Sequence, residues 1–140
     1  MGELRILVFE MLGQRWGIDV GYVKEVVRLR QFTKVPNAPG FIVGVFNLRG
    51  QIVPLIDLGV VLGLGSSERN YVVVIEADEE LLGVVIGGVQ GVVTVPKDSI
   101  EPPPPDTSDK IRGVARVQDS LVSILDVEKI VSALRSGELG

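Results

Sequence analysis

The 140-residue chain contains no cysteine and no histidine. Without cysteine there is no disulfide, no thiolate metal site and no sulfur nucleophile. Without histidine the usual general base, the usual metal ligand and any phosphohistidine are gone as well. Most catalytic constellations therefore cannot be assembled, and neither a cofactor nor a metal is expected. Basic residues number 14 against 18 acidic ones, for a net charge of −4, and they are scattered singly. That leaves no basic stripe to neutralise phosphates, so nucleic acid is not an expected partner. No apolar run reaches membrane-spanning length without a charge, turn or glycine, and the amino terminus lacks the pattern of a secretory signal. The expectation is a cytoplasmic protein with no direct membrane insertion. Aromatics make up only 5% of the chain, while valine and glycine abound, a composition of short strands joined by tight turns. A chain of this length makes one domain and buries roughly two thirds of its unfolded surface.

What is present is organised around Gly40 to Leu58, GFIVGVFNLRGQIVPLIDL. Phe41 to Phe46 and Gln51 to Ile56 are strand-length runs of β-branched and apolar residues, and Asn47-Leu48-Arg49-Gly50 between them has hairpin-turn chemistry. Arg49 puts a permanent bidentate cation at that turn, beside a glycine that tolerates unusual backbone angles.

Taken in order, Leu4, Ile6 and Val8 open a strand that turns at Gly13-Gln14 into a second, Arg15 to Val20. Val23, Val26 and Val27 recur at helical spacing and predict a short helical turn over Gly21 to Val27, with Lys24 and Glu25 off its apolar side. Pro36 to Gly40 is a stiff connection. Leu58 to Gly63 predicts another helical turn, followed by a polar loop from Gly65 to Arg69. Tyr71 to Ala77 and Leu81 to Ile86 read as strands, and Val89, Val92 and Val93 repeat the earlier valine spacing. Four prolines, Pro102 to Pro105, form a surface connector of polyproline type. Ile111 to Val117 and Leu121 to Leu125 are further strands. Val127, Ile130, Val131 and Leu134 mark one face of a closing helix capped by Asp126, and Gly137 to Gly140 are expected to fray.

The chain also resembles itself. A shift of 66 aligns Gly17, Gly21, Val23, Val26 and Val27 with Gly83, Gly87, Val89, Val92 and Val93, and a shift of 69 aligns Gly44, Val45, Val53 and Asp57 with Gly113, Val114, Val122 and Asp126. This predicts a mainly β protein of two similar units of about five strands, over approximately residues 1–65 and 66–140, with a groove where they meet. The matched Asp57 and Asp126 suggest an aspartic-protease pair, but neither sits in the hydroxyl-and-glycine turn such a pair needs to share a proton. Each reads instead as the end of a strand and the cap of the next helical turn.

Together these stretches resemble the CheW family of chemotaxis coupling proteins. The resemblance is carried by Leu7-Val8-Phe9, Gly17 to Val20 followed by Val23 to Val27, Val35 to Pro39, and most strongly Gly44 to Gly50 with Ile52 to Leu58. It implies two SH3-like five-stranded β-barrels and an adaptor without catalytic activity. One surface would bind the regulatory domain of the histidine kinase CheA, and an interbarrel groove would take the helical hairpin tip of a chemoreceptor, placing the protein in membrane receptor arrays through its partners. By the same resemblance Val23, Val26, Val72 and Val92 are groove positions. Gly44 and Arg49 match positions important for receptor coupling, Glu25 is expected to pair with Arg49, and Asn47, Leu48 and Gly50 complete the turn. Where many members carry Asp, this chain has Gly87. The alternatives are a related scaffold, or a detached kinase regulatory domain, serving another two-component pathway.

Overall fold

The computed structural model describes residues 2–137; of the stretch expected to fray, Gly137 is instead the left-handed cap of the closing helix, its amide donating to the Ala133 carbonyl, and residues 138–140 lie outside the described ones. Ten strands and two helices follow one another as β1 (Glu3–Met11), β2 (Gln14–Asp19), β3 (Val23–Arg28), β4 (Ile42–Leu48), β5 (Gln51–Ile56), α1 (Leu58–Val61), β6 (Tyr71–Ala77), β7 (Glu80–Ile86), β8 (Gly88–Pro96), β9 (Ile111–Val117), β10 (Ser120–Leu125) and α2 (Val127–Ser136). The hairpins β1–β2, β4–β5, β6–β7 and β9–β10 are the strand pairs anticipated from alternation and turn residues. Arg49 and Gly50 both have positive φ, 49° and 91°, the backbone required by a two-residue hairpin loop of matching twist. The two helices are capped as expected: Asp57 accepts from the Val60 amide at 3.3 Å and Asp126 from the Lys129 amide at 3.0 Å.

One expectation is corrected. Gly21 to Val27 is not a helical turn; a single 3-10 turn at Val20–Tyr22 leads directly into strand β3. The valine spacing misleads because β3 carries a bulge between Val23 and Glu25. An extra residue in a strand brings positions three apart onto the same face, which imitates helical period. Val23 lies opposite Ile75 and Val26 opposite Val73, on one side of the sheet. Strand β8 repeats the device, with Val89 opposite Phe9 and Val92 opposite Leu7 across a register shift.

The strands form two five-stranded sheets, ordered β8-β1-β2-β10-β9 and β3-β6-β7-β5-β4. Adding 66 to β1–β3 gives β6–β8, and adding 69 to β4, β5 and the start of α1 gives β9, β10 and the start of α2. Pairings follow the same rule: Ile124 lies parallel to Gly17, and their counterparts Leu55 and Gly83 lie parallel too. Neither sheet, however, is one sequence half. The second barrel is contiguous, β3 to β7, and the first is built from both chain ends, so the two units exchange their last three strands.

Among the described residues three apolar cores result. Leu4, Ile6, Val8, Val95, Val122 and Ile124 fill the first barrel. Val43, Phe46, Val53, Leu55, Val72 and Val85 fill the second. A third core joins the barrels, with Leu7, Phe9 and Ile18 from one side meeting their repeat equivalents Val73, Ile75 and Val84 from the other, under a lid that includes Ile130 and Val131 of α2. Each such side chain, fully buried, stabilises the fold by about 1.5–3 kcal/mol. Arg135 of α2 reaches Asp78 and Glu80 on the β6–β7 hairpin, 3.1 Å from each, and pins the helix to the second barrel.

Candidate functional site

Strands β3 and β8 are edges of their respective sheets and repeat equivalents of each other. Both present their valines on the face that packs between the barrels. Val23 and Val26 are partly buried against the joining core, whereas Val89 and Val92 stay 41% and 46% exposed. Each edge strand therefore turns one of two equivalent valine pairs to the face where the barrels join.

Of the four valines anticipated for the groove, Val23, Val26 and Val92 face the junction. Val72 does not: it is fully buried inside the second barrel, opposite Val27 and Val85. The strand β6 that bears it alternates, sending Val73 to the junction and Val72 inward. Val89, onto which the repeat maps Val23 as it maps Val26 onto Val92, lies on the same face of β8 as Val92.

Beside Val26 stands Glu25, and its carboxylate meets the guanidinium of Arg49 across the end of the second barrel. Nη1 donates to Oε1 at 3.1 Å and Nη2 donates to Oε2. Arg49 keeps 65% of its side chain exposed and Glu25 keeps 25%. Hydrogen bonding from Arg49 holds the Glu25 carboxyl below the usual carboxylate range. The turn is fixed from within, since Asn47 Oδ1 accepts from the Gly50 amide at 2.7 Å, while Leu48 turns inward as part of the barrel core at 6% exposure.

Gly44 serves packing. Its neighbour Val45 exchanges two 2.8 Å backbone bonds with Thr33, and a Cβ at Gly44 would drive into the Thr33 carbonyl and come within 3.0 Å of Phe32. Gly113 repeats the arrangement beneath the Glu101–Val114 bridge, where a Cβ would lie 2.8 Å from the Glu101 carbonyl. Gly87 sits at the barrel junction, its amide donating to the Glu10 carbonyl at 2.9 Å; a Cβ there would stand 3.1 Å from the Glu68 carboxyl carbon, so an Asp would crowd that carboxylate.

Asp57 and Asp126 each cap a helix but sit in different surroundings. Asp57 is fully buried, accepts from the Ser67 amide at 2.9 Å and lies 3.8 Å from Arg69, whereas Asp126 caps α2. Among the described residues no group of three or more acidic residues could hold a metal ion, and no helix is long and apolar enough to cross a membrane.

Residues 5–135 match the family model of the CheW-like domain. The chain belongs to the CheW-like family. It is 32% identical to the chemotaxis protein CheW of Klebsiella aerogenes, over 91% of this chain and 81% of that one. It is 28% identical to the chemotaxis protein CheW of Treponema pallidum, over 94% and 84%. The crystal structure of the scaffolding protein CheW from Thermoanaerobacter tengcongensis superposes with a TM-score of 0.81 at 33% identity, covering 89% of this chain and 85% of that one. This likeness extends to the mainly β, two-subdomain architecture.

Proposed function

We propose that this chain is a non-enzymatic chemotaxis adaptor, cytoplasmic and held in receptor arrays by its partners, that couples the hairpin tip of a chemoreceptor to the histidine kinase CheA. The observation that carries the reading is the junction of the barrels, where Val23 and Val26 on one edge strand and Val89 and Val92 on its repeat equivalent turn apolar side chains to the joining face. An amphipathic helix buries its apolar stripe in such a surface, and a hairpin of two helices matches two walls. Val89 and Val92, 41% and 46% exposed, are the members of the two pairs left open to a partner. The Glu25–Arg49 clip fixes the geometry of one wall, and its value is orientation rather than stability. Relatives named as chemotaxis and scaffolding proteins support the same reading.

The test is phosphotransfer by a chemotaxis histidine kinase from the same source, with its receptor's cytoplasmic fragment, with and without this protein. A large increase that needs all three components supports coupling. Binding to both without activation would transfer the adaptor to another pathway, and binding to neither would end the proposal.

A further inference from the structure

The internal repeat supplies each barrel with a reference for the other. Glu25 lies beside Val74, on the interior side of the second barrel, and its pair with Arg49 closes that barrel's end. The equivalent positions in the first barrel are Gly91, opposite Val8, and Gln118, on the β9–β10 turn. There the end stands open as a cavity of about 520 Å³, bordered by Val8, Arg15, Gln90, Gly91, Gln118 and Val122.

Two features point to what fills it. Gly91 has φ 128°, which side-chain-bearing residues avoid, so a carboxylate cannot readily be supplied from that position of β8. A cation is nevertheless present. Arg15 Nη1 donates to Ser120 Oγ at 2.9 Å, and among the described residues no carboxylate oxygen comes within 4.0 Å of its guanidinium. Glu10, directly across the strand pair from Arg15, accepts instead from Gln90 Nε2. A guanidinium has five donors in a fixed fork that fits a carboxylate, and one hydrogen bond to a hydroxyl leaves most of them unused.

We propose that this open end is a binding site for an aspartate or glutamate side chain of a partner protein, with Arg15 as its anchor. The partner then supplies what Glu25 supplies internally to the second barrel. Val92, 46% exposed, and the half-buried Val93 and Val117 at the rim fit aliphatic neighbours of the acidic residue better than a free small acid, and β8, an edge strand, leaves the approach open. The site adjoins the proposed receptor groove, since Val92 borders both, but its test does not depend on the coupling function.

The test is an amide NMR titration of the full chain with acetyl-Val-Glu-Val-amide, beside acetyl-Val-Gln-Val-amide and glutarate. Saturable shifts are expected around Arg15, Gln90 and Gln118, with the glutamine peptide about tenfold weaker or worse, as loss of a charge-assisted bond implies. Arg15→Gln should abolish the response, and Glu10→Gln should strengthen it by removing a competing carboxylate. Should Arg15→Gln not fold, Gln118→Glu at the exposed turn should weaken binding by placing a rival carboxylate at the site. Equal response to both peptides, shifts confined elsewhere, glutarate binding as tightly as the glutamate peptide, or indifference to these substitutions would each overturn the proposal.

Discussion

Arg49 on the β4–β5 turn grips the Glu25 carboxylate on strand β3 through both terminal nitrogens, while their repeat equivalents, Gln118 and Gly91, form no such pair. A molecule built from two like units is thereby given two unlike ends. The joining core and the valine walls obey the repeat, and the charged clip breaks it.

Replacing Arg49 with His should lower receptor-dependent kinase activation several-fold and leave the melting temperature almost unchanged, because an exposed ion pair adds little to folding. Exchanging the partners, as Glu25→Arg with Arg49→Glu, should restore part of the activation. Full activation by Arg49→His alone would remove the clip from the mechanism.

Glu25 is ionised more readily in the folded chain than in the unfolded one, because Arg49 hydrogen-bonds its charged form. With a folded value depressed below the unfolded one of about 4.3, its contribution to stability is present above that pH and is lost as pH falls through the folded value. A carboxyl NMR titration should show a midpoint below the usual range for Glu25, returning toward normal in Arg49→Gln. An unchanged midpoint in that variant would mean the pair does not persist in solution.

The valines should separate by substitution. Val72→Ala opens a void in the second barrel and should cost about 2–3 kcal/mol in denaturant unfolding. Val89→Asp and Val92→Asp, on exposed positions, should leave stability nearly intact and weaken binding of the receptor fragment. If Val72→Ala were the substitution without effect on stability, the inward facing of Val72 would be wrong.

Asp57 and Asp126 look alike in sequence and should differ in cost. Asp126→Ala loses a helix cap, about 1 kcal/mol. Asp57→Ala also strands the buried Ser67 amide, for a total of about 2–4 kcal/mol. Equal losses in chemical denaturation would contradict the buried network.

Gly44→Ala should destabilise by about 1–3 kcal/mol, since its Cβ meets backbone that cannot move without breaking the Thr33–Val45 bridge. Gly40→Ala, where a Cβ meets nothing within 4 Å, is the control. Any coupling defect of Gly44 variants should then track their loss of folded protein rather than a lost contact with a partner.

Much of this protein was legible in its residues. Alternation and turn chemistry placed four hairpins, the shifts of 66 and 69 matched element to element, and the capping aspartates were recognisable because they act within one turn of chain. The valine triplet over Val23 to Val27 was misread because a bulged strand and a helix place residues three apart on a common face, and only pairing with β6 distinguishes them. Val72 and Val73 could not be told apart, since both faces of β6 are covered and its apolar run has no polar side. What the residues by themselves determined was local: strand, turn, cap and repeat. Tertiary structure alone decided which strand pairs with which. A strand from one unit offers the same hydrogen-bonding edge to its own neighbours as to those of the duplicate, so local preference is degenerate between them. In this fold β3 joins β6 rather than β1, and β8 joins β1. That exchange brings Leu7 against the joining core with Val73, sets the two valine walls around one junction, and leaves one barrel clipped and the other open.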